Sequence, residues 1–126
     1  IIIDTPPYIF FFFNALVKMA DLVVIPTQAS INDLLAIDKT VQIIKENEAI
    51  DRSIIVFNRI KSNSSLKDKL NANFLELEVP IANTIINDYD AITNSIITKG
   101  VESRHKASAQ LQNLTTELMT KLLSNG

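Results

Sequence analysis

Apolar residues fall along this chain in two kinds of pattern. Ile1-Ile2-Ile3, Leu22-Val23-Val24-Ile25 and Ser53 to Phe57 are short, continuous, β-branched runs stopped by a charge, a proline or an asparagine. Such runs read as buried strands rather than half-exposed ones, which would alternate. Between them the spacing turns helical. Phe11 to Ala20 predicts a short helix. Ser30 and Asp33 form a capping-box pattern, and Leu34, Ile37, Val41 and Ile44 follow on one helix face. Leu66 to Phe74 predicts another helix, and Leu75 to Val79 a short strand ended by Pro80. Asp88 to Ile97 predicts a helix with Gly100 just beyond it. Lys106 to Leu123 predicts the last helix, striped by Leu111, Leu114, Leu118 and Leu122.

Buried strands alternating with helices imply parallel βαβ units. The expected fold class is therefore α/β: a three-layer parallel-sheet fragment of about four strands with flanking helices. With 126 residues and no internal repeat or linker, residues 1–126 read as one domain. The composition, 47% hydrophobic and 21% charged, is that of a folded chain. The apolar runs are far shorter than a bilayer requires, and Ile1 to Asp4 show no basic start of a signal peptide. The absence of cysteine excludes disulfides and thiolate metal sites and fits a cytoplasmic setting. A net charge of −2 predicts no bulk attraction to nucleic acid or anionic lipid.

In open parallel sheets, ligands sit beyond the C-terminal ends of the strands. That rule selects Asp4-Thr5-Pro6-Pro7, Pro26-Thr27-Gln28, Asn58-Arg59 and Pro80-Ile81. A carboxylate at a strand end, such as Asp4, suits Mg²⁺ held through water; it equally caps a strand or a turn. The Asn58 amide offers a donor and an acceptor to a purine edge, and asparagine also favours a strand-to-loop turn. Two basic clusters, Arg59, Lys61, Lys67, Lys69 and Lys99, Arg104, His105, Lys106, could meet phosphates or form an ordinary solvated face. A single histidine anchors no zinc site and no hydrolytic triad.

The sequence Ile1-Ile2-Ile3-Asp4-Thr5-Pro6-Pro7 resembles the Walker B strand and switch of the ParA/MinD family of partition and positioning ATPases. Leu16, then Ala20 to Thr27, resemble that family's next helix and strand. Asn58-Arg59 after a β-branched strand resembles its adenine-side loop. Val79-Pro80, Thr84-Ile85 and Gly100-Val101-Glu102 follow in the same order. The resemblance covers nearly the whole chain and implies a fragment of a P-loop NTPase of the deviant Walker A type. It implies that Asp4 faces the Mg²⁺ of bound ATP, with Thr5, Pro6 and Pro7 in the switch. It also implies that Asn58 and Arg59 lie beside the adenine, with Pro80 near the base. Relatives form an ATP-dependent homodimer, meet a partner partition protein and bind DNA non-specifically. This gives Arg59, Lys61, Lys67, Lys69, Arg104 and Lys106 as the DNA candidates and a nucleoid-associated location if DNA is bound. The chain departs from the family at Phe10 to Phe13 and at Ile86-Asn87, where relatives carry small or polar residues and a basic residue respectively.

Gly100 and Gly126 are the only glycines, so the Gly-rich loop whose N–H groups and lysine cradle phosphates is missing. ATP and Mg²⁺ are thus expected in an intact family member and not in this chain alone, which carries no catalytic residue of its own. The last helix points to the ParA rather than the MinD branch, because from Gln110 to Gly126 its one basic residue is Lys121; a membrane-lying helix needs more. Competing expectations are a non-enzymatic interaction or DNA-binding remnant, a MinD-type membrane-associated ATPase, and an amidoligase-like synthase on the same scaffold.

Overall fold

The computed structural model describes residues 1–6, 11–61, 73–89, 92 and 106–124. The described elements are α1 (Phe13–Met19), β1 (Val23–Thr27), α2 (Ile31–Glu46), a 3₁₀ turn (Ile50–Arg52), β2 (Ser53–Phe57) and α3 (Lys106–Ser124). The molecule is α/β, with β1 and β2 paired in parallel from Val23 opposite Ser53 to Thr27 opposite Phe57.

Every residue of β2 is buried, as expected from its unbroken apolar run, whereas β1, expected to be buried from the run Leu22 to Ile25, alternates and leaves Val24 exposed because it is paired on one side only among the described residues. A third extended segment lies along its other side. The Ile55 N–H donates to the Pro80 carbonyl (2.8 Å), and the Ala82 N–H to the Ile55 carbonyl (2.8 Å). Further along, the Ile86 N–H donates to Phe57 (3.0 Å), Ile60 to Ile86 (3.1 Å) and Asp88 to Ile60 (3.1 Å). Both contacts of this segment, Ile81 with Ile55 and Asn87 with Ile60, are parallel bridges. From Ala82 to Ile86 the segment advances four residues while β2 advances two, so it bulges outward there.

Helices cover both faces. Ile37, Val41 and Ile44 of α2 and Val17 of α1 pack with Ile25, Ile55, Phe57 and Phe74. The residues between, Ile54 and Val56, point the other way and meet Leu114 and Leu118 of α3 together with Leu22 and Ala82. Arg52 ties α1 to the sheet: its guanidinium donates to the carbonyls of Val17 (3.2 Å), Ala20 (3.1 Å) and Glu48 (3.4 Å).

Three further expectations change. Ile1-Ile2-Ile3 is not a buried strand: the run pairs with no described segment and is exposed, fully so at Ile1 and Ile2. A strand is stabilised only through a neighbour's hydrogen bonds, and none is present for it among the described residues. Pro26 does not close β1 but lies within it. Thr27 faces β2, accepting the Asn58 N–H (2.8 Å), so Pro26 faces the outer edge, where its missing N–H costs no ladder bond. Leu75 to Val79 is not a strand either. Residues 73–75 form a helical turn, Glu78 takes a left-handed φ of 65°, and pairing starts only at Pro80. The predicted helix at Leu66 to Phe74 lies outside the described residues except at its end. So does most of that at Asp88 to Ile97, where Asp88 itself is paired to Ile60.

Candidate functional site

The parallel strands β1 and β2 end together, and the chain leaves β2 at Asn58-Arg59. Asn58 is half-buried; its N–H is held by Thr27 (2.8 Å) and its Oδ1 accepts the Arg59 N–H (3.0 Å). That local bond steadies Arg59 at φ 55°, a left-handed position costing a non-glycine residue roughly 1 kcal/mol. The Arg59 Nε lies 3.6 Å from the Asp88 carboxylate, with both side chains largely exposed, so the pair adds little stability. The flanking wall is Ile86 to Asp88, whose backbone brackets Ile60; the Asn87 amide also donates to the Ile60 carbonyl (2.8 Å).

The other sequence-selected residues are placed differently. Asp4, Thr5 and Pro6 are exposed and belong to no helix or strand, and Pro7 lies outside the described residues. Pro80 is exposed and sits beside Ile55, mid-way along β2. Three residues of strand, roughly 10 Å, separate that level from Asn58. The structure therefore brings Asn58 and Arg59 together with Ile86 to Asp88, and not with Pro80. Lys61 is exposed just after Ile60, and Lys106 is exposed at the start of α3; Lys67, Lys69, Lys99, Arg104 and His105 lie outside the described residues.

A single exposed carboxylate does not by itself make a Mg²⁺ site, and among the described residues no group of three or more acidic or histidine side chains could hold a metal. Among the same residues no helix is long and apolar enough to cross a membrane.

The residues that sequence reasoning passed over are Asn87, Gln110 and Glu117. Gln110 forms an amide pair with Asn87: its Nε2 donates to Asn87 Oδ1 (2.5 Å), and its Oε1 accepts the Asn87 N–H (2.9 Å). The Glu117 carboxylate accepts the two N–H groups freed by the bulge, Asn83 (2.5 Å) and Thr84 (2.9 Å). Burial pushes the Glu117 carboxyl up, but bonds from the Thr84 side chain and from these two amides outweigh it and hold it below its ordinary value. The signal for Glu117 was its position on the helix face of Leu114 and Leu118, an acid bordering an apolar stripe.

Comparison of the chain with family models, with curated proteins and with solved structures gives no match.

Proposed function

We propose that the chain is the C-terminal portion of a ParA-type partition ATPase, carrying the adenine side of the nucleotide site without the phosphate-binding loop. The observation that supports this reading is the exit of a fully buried parallel strand into Asn58 and a left-handed Arg59. This is where an open α/β sheet takes its ligand and where the sequence resembles the family's adenine loop. In an intact relative ATP would bridge a dimer, the dimer would bind DNA, and hydrolysis would release it. Asp4 keeps its proposed role toward Mg²⁺ on the strength of the Asp-Thr-Pro-Pro motif alone.

The ParA branch is favoured over the MinD branch by the seating of α3. Its Leu114 and Leu118 pack on Ile54 and Val56, and Lys121 donates to the Asp51 carbonyl (3.0 Å). The leucine stripe that a membrane-lying helix would present is thus partly turned to the sheet. DNA contact, through Arg59, Lys61 and Lys106 with Lys67, Lys69 and Arg104, is part of the same proposal.

Without the Gly-rich loop, only the base is left to bind. At about 0.3 kcal/mol per non-hydrogen atom, a base of about ten atoms contributes about 3 kcal/mol, which is millimolar dissociation or weaker. Isothermal titration of the chain with ATP and Mg²⁺ should give no better than millimolar affinity, and a micromolar value would show that the phosphates are held without that loop.

A further inference from the structure

Helix α3 buries little of itself. Among its described residues only Ala107 and Ser108 are fully buried, and its leucine stripe is half-covered. Polar ties hold it instead, one near each end and one between. Gln110 is paired with Asn87, Glu117 grips the Asn83 and Thr84 amides, and Lys121 reaches the Asp51 carbonyl. Two of these three ties end on one short stretch of backbone, residues 83–87.

That stretch is also the wall of the strand exit. Two residues past Thr84, Ile86 accepts the Ile60 N–H and donates to Phe57; Asp88 donates to Ile60 and faces Arg59. The bulge is where the coupling arises. Two extra residues on one strand leave two N–H groups that the ladder cannot use, and a carboxylate that accepts both is a charge-assisted clamp. Were the clamp lost, the bulge could slide toward β2 or open to water, and either movement shifts the residues after it. We propose that Glu117 is a positioning residue for the Asn58-Arg59 exit. By fixing the bulge at Asn83-Thr84 it sets the register in which Ile86 to Asp88 hold Ile60 and Arg59, so the docking of α3 controls the shape of the loop. This coupling stands whether or not the loop meets a purine.

The test is amide hydrogen exchange, read by NMR on the full chain, in wild type, Glu117→Ala and Glu117→Gln. In Glu117→Ala the amides of Asn83, Thr84, Ile86, Asp88 and Ile60 should exchange about tenfold faster. The Asn58 amide, bonded across the other ladder to Thr27, should keep its rate, and the Arg59 amide resonance should shift. Glu117→Gln retains one carbonyl acceptor and should fall between the two. Faster exchange confined to Asn83 and Thr84, with Ile60 and Asp88 unchanged, would overturn the coupling. A uniform acceleration that includes Asn58, or loss of the fold in both variants, would also overturn it, because Glu117 would then serve general stability.

Discussion

Protonation of Glu117 destabilises the fold. Its carboxyl titrates below the ordinary glutamate value because three hydrogen bonds to the ionised form outweigh burial. A depressed value in the folded chain means that the unfolded chain takes up the proton first. The stabilisation is therefore complete at neutral pH and fades as pH falls from the ordinary value through the lowered one. Urea unfolding followed across that interval should show a loss of stability in wild type that is smaller in Glu117→Gln. An equal loss in both proteins would assign the acid sensitivity to other carboxylates. Gln110 was not legible in advance, and for Glu117 the sequence showed an acid beside the Leu114 and Leu118 stripe but not what it binds. The partners of Glu117 are backbone amides in a bulge, and that of Gln110 is an asparagine just beyond it; no hydrophobic period announces a bulge. The place of Asn58 at the end of β2 was legible, because it closes a β-branched run.

At the scale of elements, the clearest were those whose ends carry chemistry as well as periodicity. The Ser30 hydroxyl accepts the Asp33 N–H (3.1 Å) and donates to the Asp33 carboxylate, so α2 starts where the capping pattern placed it. Replacing Ser30 by alanine should cost about 1 kcal/mol, measured by thermal or urea unfolding; no change would mean that water caps this end as well as serine does. The end of α2 was not legible. The Glu48 N–H bonds to Lys45 and the Ala49 N–H to Ile44, a Schellman closure that normally recruits glycine, yet Glu48 takes the left-handed position at φ 53°. A chain with two glycines must turn its corners with other residues, and such corners cannot be read from glycine. The same scarcity explains Glu78, whose left-handed turn replaced the strand expected from Leu75 to Val79.

At the scale of the whole molecule, strand order in sequence became strand order in space for β1, β2 and the segment after Pro80. The α/β class and the parallel pairing of β1 with β2 were readable from two apolar runs separated by a helical period; the segment after Pro80 was not, because the run expected to pair there, Leu75 to Val79, turns at Glu78. The run at Ile1 to Ile3 was not, because periodicity reports burial only when a partner exists to bury against. Phe13 and Val17 of α1 lie in the same core as α2. The proposed adenine side is the exit between β2 and Ile86 to Asp88. Proton–nitrogen correlation spectra of the chain, titrated with adenosine to roughly 10 mM, the range set by a millimolar dissociation constant, address that exit directly. The account predicts saturable shifts centred on the amides of Asn58, Arg59 and Ile60 that vanish in Asn58→Ala. Shifts that leave these three amides untouched, or that persist unchanged in Asn58→Ala, would contradict it.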